Sequence, residues 1–356
     1  MEEKDLKGDF IMSEIMRSID PNAQLAGKFA AELRTGLVGL DDQASQITDV
    51  ILANRHVLLE GIPGTGKTRI ATNLSDMYYP GLDQEEFHNF VGRFQGTRDK
   101  LPADVLGAEV YDPRTGLFSV RRGPIFANIL FADEMNRNET RTQAAINEAA
   151  QERQVTIGNQ TLALPNPFNI IATQNAHELG QGTSRMSDAL TDRFGGSIYF
   201  GNPTSENKRI VGMNDEIEPS LMTAQEKANR LNRAKPVLTP TMMIELMRAV
   251  ADTKIEDKAV KRAIEAEERL VDMNGVTLVS GDETTAMGYR FVKDAVRIAK
   301  ANALRDGKAS ATVENMDRVL PLVLAHRITG IESDSHITHP AKLEIVADAM
   351  KNSRVV

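Results

Sequence analysis

The chain has 356 residues, 41% apolar and 26% charged, with a net charge of −8 and no cysteine. That length exceeds one ordinary core, so two domains are expected, and the missing cysteines exclude a disulfide framework and a thiolate metal site. The acidic balance weighs against broad contact with a nucleic-acid backbone.

No apolar run approaches the roughly 18 residues of a membrane span. The opening MEEKDLKGDFIMSEIM is acidic and lacks the basic-then-apolar order of a secretion signal, so a cytoplasmic setting is expected. Residues 1–35 read as a helical, peripheral extension, followed by the glycine break and acidic helix start of GLVGLDDQ (36–43). From about residue 40 to 201, short apolar runs alternate with helical patterns, which predicts a parallel sheet covered by helices. The strands fall at HVLLE (56–60), FHNFVGRF (87–94), NILFAD (128–133), FNIIAT (168–173) and SIYF (197–200), with an Ala-rich helix at 140–154. Two hairpins interrupt the pattern, LGAEVYDPRTGLFSVRRGPIF (106–126) turning at DPRTG and QVTIGNQTLALPNPF (154–168) turning at GN. Around 202–240 the chain becomes polar and proline-punctuated, as a linker does. Residues 239–330 show no strand pattern and read as a bundle of four helices: MMIELMRAVAD, KAVKRAIEAEERLVDM, TTAMGYRFVKDAVRIAKANAL and VENMDRVLPLVLAHRI.

Three strand ends carry the chemistry. Gly61, Ile62, Pro63, Gly64, Thr65, Gly66, Lys67 and Thr68 match the phosphate-loop pattern GxxxxGK[ST] between a strand and a helix. Its glycines let backbone N–H groups face phosphate oxygens at a helix N-terminus. Lys67 would meet the β- and γ-phosphates of ATP, and the Thr68 hydroxyl would ligate Mg²⁺. ILFADE ends in Asp133, placed to hold Mg²⁺, and Glu134, placed to polarise an attacking water. Asn175, after FNIIATQ, would orient that water or touch the γ-phosphate. The six histidines (His56, His88, His177, His326, His336, His339) are scattered, and none is assigned to a metal.

These residues sit in stretches that resemble the MoxR branch of the AAA+ ATPases, in the helix-2-insert group that includes magnesium chelatase ATPase subunits. The matching stretches are HVLLEGIPGTGKT, LPADVLGAEVYDPRTGLFSVRRGPIFANILFADEMNR, TQAAINEAAQERQVTIGNQTLALPNPFNIIATQN and ALTDRF, with a looser match at PVLTP and PLVLAHRI. The resemblance implies an α/β P-loop NTPase: a five-stranded parallel sheet with helices on both faces, plus a C-terminal all-α lid. The parts would be an extension (1–35), the ATPase domain (36–205), a linker (206–238), the lid (239–335) and a C-terminal tail (336–356). It also implies Walker A at Gly61–Thr68, Walker B at Asp133 and Glu134, and a sensor at Asn175. Arg193 of TDRF would reach into a neighbouring subunit's site, and Arg290 would be a second sensor reaching back from the lid. This chain reads AMGYRF where members usually carry GASPR, so Arg290 departs from the pattern. Arg137 and Arg185 fall near the expected subunit interface.

The function implied is Mg²⁺-dependent ATP hydrolysis by a homo-oligomeric ring, a hexamer, acting as a chaperone on a protein client. A von Willebrand factor A-type partner would be a separate chain, since no DxSxS motif occurs. The two hairpins would face the ring axis or one ring surface. Alternatives are a nucleotide-gated scaffold with little turnover, which would not need Glu134, Asn175 and Arg193 together, and a chelatase-like metal-insertion motor. A nucleic-acid motor is disfavoured by the charge and the sparse aromatics.

Overall fold

The computed structural model describes residues 20–77, 90–175, 186–213, 238–273, 276–279, 287–331 and 337–351. Helix α1 (Pro21–Leu33) starts with Asp20 accepting from the Asn22 amide and Pro21 at the first helical position, both of which favour a helix start. Helix α2 (Asp41–Leu52) leads into β1 (His56–Gly61), and the phosphate loop opens into α3 (Lys67–Asp76). Next come β2 (Val91–Gln95), α4 (Pro102–Leu106), the hairpin β3 (Gly107–Asp112) and β4 (Leu117–Arg122), and β5 (Ile129–Asp133). After α5 (Thr140–Glu152), a second hairpin joins β6 (Gln154–Ile157) to β7 (Gln160–Ala163), followed by β8 (Asn169–Gln174). Helix α6 (Asp188–Thr191), β9 (Phe194–Phe200) and α7 (Ser205–Met213) close the α/β part.

All five expected strands form one parallel sheet in the order β2-β5-β8-β1-β9. The start of FHNFVGRF, residues 87–89, lies outside the described residues. Strand β9 begins three residues before SIYF, through Gly195 and Gly196, which weaken the strand signal in sequence. A side chain at Gly195 would bring its Cβ to 2.5 Å from the Arg55 Cβ, so the Arg55 side chain packed against the backbone accounts for that glycine.

Alternate residues of each central strand feed two cores. Val57, Leu59, Ile129, Phe131 and Ile171 face one, while Leu58, Leu130, Ala132, Ile170 and Ala172 face the other with α5 and Phe168. The first core continues without a break into the helical part, α8 (Pro240–Asp252), α9 (Asp257–Asp272), α10 (Tyr289–Arg305) and α11 (Val313–Leu324). It also takes in Phe29 and Leu33 of α1, both fully buried. The N-terminal helix is therefore part of the core and not peripheral along Pro21–Leu33.

The helical part also holds strands that the sequence reading lacked. Lys254–Ile255 (β10) pairs with Ser310–Ala311 (β12), and Val276–Leu278 (β11) pairs with Ile328–Ile331 (β13). Segments this short show no alternation for a periodicity reading to find. Within the segment read as a tail, His339–Lys351 forms a helix, α12, with His339, Val346 and Ala349 buried. Of the segment read as a linker, 206–238, the described residues are 206–213, which continue α7, and Leu238.

Two buried ionic clusters tie the layers together. Asp49 of α2, 2% exposed, accepts from Arg305 Nε at 2.7 Å, Arg305 Nη2 at 3.1 Å and Asn302 at 2.8 Å. Asp294 of α10 receives Arg55 at 2.5 Å and Arg327 at 2.8 Å. Among the described residues, no helix is long and apolar enough to cross a membrane.

Candidate functional site

In a parallel sheet the strand ends that follow one another in space share one edge, and ligands bind where neighbouring connections diverge. Register puts Glu60 level with Gln174 and Gln95 level with Asp133. Gly61, Asp133, Glu134 and Asn175 therefore leave the sheet together.

The phosphate loop begins where only glycine fits. At Gly61, φ is +149° and an added Cβ would lie 2.3 Å from the Phe200 carbonyl oxygen. Gly66, at φ +92°, turns the chain into α3. Lys67 is buried, its Nζ donating to the carbonyls of Gly61 at 2.9 Å and Ile62 at 2.7 Å. The lysine thus lies across its own loop, where a phosphate held by the loop amides would meet its charge.

Thr68 Oγ1 donates to Asp133 Oδ2 at 3.2 Å. The opposite carboxylate oxygen takes the Thr173 hydroxyl, which in turn accepts the Glu134 amide at 2.8 Å. A hydroxyl and a carboxylate converging on one point form a hard-oxygen pair that fits Mg²⁺. No group of three or more His, Cys, Asp or Glu able to hold a metal occurs among the described residues. A metal here would rely on phosphate oxygens and water for its remaining ligands.

Glu134 sits in the left-handed region, φ +52° and ψ +46°, at the head of a one-turn 3₁₀ segment, Met135–Arg137. That conformation is uncommon for a side chain of its size and clusters at functional sites. The Glu134 carboxylate lies among three side chains. Gln95 donates to Oε2 at 2.8 Å, Asn175 to Oε1 at 3.3 Å, and Arg137 pairs with Oε1 at 3.2 Å. Gln95 and Thr173 were not anticipated from sequence. Gln95 ends a strand opposite Asp133, and that register is the signal that would have found it. Arg137, expected near a subunit interface, pairs with its own chain's Glu134.

Arg193 and Arg290 are elsewhere. Arg193 precedes β9, whose first residue pairs with His56 at the start of β1, whereas Gly61 ends it. At about 3.3 Å per residue, the five steps of β1 separate the two by roughly 17 Å. Arg193 Nε donates to Asn147 at 3.2 Å and its Nη2 to Gln151, both on α5. Arg290, near the start of α10, pairs with Asp192. Burial, then the nearby charge of Arg290, pushes the Arg193 guanidinium below its usual range, so the two cations are neighbours. Arg290, expected as a sensor reaching back from the lid, meets Asp192, because the lid packs so that α10 begins at the sheet edge opposite the phosphate loop. Arg185, His88, His177 and His336 lie outside the described residues.

The hairpin β3–β4 presents Val110, Tyr111, Leu117 and Phe118 exposed, with the Tyr111 and Phe118 rings 5.2 Å apart. The second hairpin lies beside it, with Glu109 of β3 against Gly158.

Residues 56–195 match the family model described as ATPase family associated with various cellular activities (AAA), and residues 292–346 match the AAA lid domain. Among curated relatives, the chain is 32% identical over 305 residues to the uncharacterized protein YeaC of Bacillus subtilis (strain 168), covering 85% of this chain and 87% of that one. It is 29% identical over 303 residues to the chaperone MoxR1 of Mycobacterium tuberculosis, covering 83% and 74% respectively. A Cytophaga hutchinsonii protein solved as a candidate ATPase superposes with a TM-score of 0.73 at 24% identity, over 98% of both chains, which shows a shared fold.

Proposed function

Since the chain belongs to the MoxR family of AAA+ ATPases, we propose that it couples ATP hydrolysis to remodelling of a partner protein complex, with each catalytic site shared between two copies in a ring. The observation that carries the shared site is that Arg193 precedes the β9 end paired with the start of β1, and Arg290 pairs with the adjacent Asp192, whereas the phosphate loop leaves the far end of β1, roughly 17 Å along the strand. The loop, Asp133 and Glu134 meet at one sheet edge, and the two arginines gather at the other.

In this reading the loop amides and Lys67 hold the phosphates of ATP, and Thr68 and Asp133 hold the Mg²⁺. Bound there, Mg²⁺ would supply charge neutralisation at the phosphates. Glu134 polarises the attacking water, and Asn175 and Gln95 restrain its carboxylate until that water is in place. Arg193 of one copy, a planar and permanent cation, would stabilise charge developing on the γ-phosphate held by the next. A head-to-tail interface that closes gives a ring, and a hexamer is proposed.

The chaperone role is carried over from the name of the Mycobacterium tuberculosis relative. It is supported by the exposed aromatic pair on the β3–β4 hairpin, a surface suited to an apolar client segment. A von Willebrand factor A-type protein is the proposed partner, and a cytoplasmic setting the proposed location. The parts are proposed as the ATPase domain at 36–205, the linker at 206–238 and the lid at 239–335. The test is Glu134→Gln, expected to bind ATP while losing about 100-fold or more in turnover and to retain a protein client under ATP in a pull-down. Turnover near the parent value would remove Glu134 from the mechanism.

A further inference from the structure

Directly before the phosphate loop stands a buried carboxylate that the scheme above does not use. Glu60 is 3% exposed, and its register neighbours are Gln174 on β8 and Tyr199 on β9. Gln174 Nε2 donates to Glu60 Oε1, and His339 Nδ1 pairs with Oε2. His339 opens α12, the C-terminal helix, and lies 2% exposed. Its ring stacks on Tyr199, with 5.1 Å between centroids and 8° between planes. Burial pushes the Glu60 carboxyl up, but the charge and hydrogen bond of His339, aided by Lys342 and Gln174, outweigh it and hold the group down at about 2.

The row has a meaningful address. Glu60 precedes Gly61, whose carbonyl accepts from Lys67. Gln174 precedes Asn175, which donates to Glu134. The hydrogen bond from Gln174 to Glu60 therefore ties the departure points of the phosphate loop and of the water-orienting strand to one another. Cohesion alone does not call for this chemistry, because a buried polar pair contributes little more than well-packed apolar residues of the same volume. Removing one partner, in contrast, leaves a charge with no route to water.

We propose that His339 is a positioning residue for ATP hydrolysis: by holding Glu60, and through it Gln174, the C-terminal helix sets the spacing between the phosphate loop and the Asn175–Glu134 pair. This rests on the ATPase reading and is independent of whether sites are shared between copies. Misplacement of reacting groups by about 1 Å can cost on the order of 100-fold in rate. Binding is less sensitive, because the loop amides and Lys67 remain.

The experiment compares ATP turnover and ATP affinity in the full-length chain with His339→Leu, His339→Asn and Gln174→Met. His339→Leu keeps bulk but has no donor, and is expected to lower kcat by about tenfold or more with Kd for ATP changed less than about threefold. His339→Asn places an amide N–H where Nδ1 stood, and should recover most of the lost kcat. Gln174→Met should reproduce the kcat loss, and the double variant His339→Leu with Gln174→Met should lose far less than the product of the two singles. Should His339→Leu not fold, Gln174→Met decides. Parental kcat in either folded variant, multiplicative losses, or equal falls in kcat and affinity overturns the proposal. A parent chain that does not hydrolyse ATP sinks the ATPase reading and this proposal with it, an outcome distinguishable from parental turnover in the variants.

Discussion

The clasp between Asp49 and Arg305 allows a prediction with an asymmetry built in. Breaking a buried ion pair by removing one partner costs about 3–5 kcal/mol, since the survivor is left buried and unpaired. The two survivors here differ. Asp49 has 3% of its side chain exposed and would keep only the neutral amide of Asn302, with no charge partner and no path to water, so Arg305→Met belongs at the upper end of that range. Arg305 is 18% exposed and also lies 3.3 Å from Asp306, so after Asp49→Leu it keeps a partial partner and a path to solvent. That change belongs at the lower end, about 3 kcal/mol. The double variant replaces the pair by apolar side chains and leaves Asn302 short of one acceptor, so its cost should fall to about 1–2 kcal/mol. Urea unfolding followed by far-UV circular dichroism measures all three. An Asp49→Leu cost larger than that of Arg305→Met, or a double variant as costly as the sum of the singles, would refute the reasoning.

Two further outcomes follow from burial elsewhere. Phe29→Ala should destabilise the chain by about 3–5 kcal/mol, because Phe29 is fully buried in the larger core; a loss under about 1 kcal/mol in the same unfolding assay would return α1 to the periphery. His56 is buried, its Nδ1 accepting the Ile170 amide at 3.1 Å. Burial, then the charges of Arg153 and Arg55, lowers its pKa to about 3. A histidine depressed in the folded state stays neutral there while the unfolded chain takes up a proton below its ordinary value of about 6.5. Stability should therefore fall as pH drops from about 6.5 toward 3, and His56→Gln should flatten that slope between pH 7 and 5. An unchanged slope would contradict the assignment.

The sheet was readable from sequence because each central strand is a continuous apolar run, and a strand buried on both faces leaves that signature. The phosphate loop was readable because its glycines meet a local backbone demand. What escaped depends on long-range placement. Phe29 and Leu33 lie in a helix whose sequence, PNAQLAGKFAAEL, would equally suit a surface. Gln95 and Gln174 look like ordinary polar strand ends until register sets them against Asp133 and Glu60. Arg290 could be placed only by knowing where the lid packs, which Asp192 on the far sheet edge reveals. His339 stood in a stretch with no strong periodicity, and its partner lies 279 positions away.

The most direct test of the shared site mixes two inactive chains. Lys67→Ala removes the phosphate lysine but keeps Arg193, and Arg193→Ala does the reverse. In a randomly mixed head-to-tail ring, about one interface in four joins an intact loop to an intact arginine. Turnover should therefore rise from background in each chain alone to about a quarter of the parental rate in the equimolar mixture, with assembly verified by sedimentation. No rise in a verified mixed ring would contradict the placement of Arg193 in a neighbour's site.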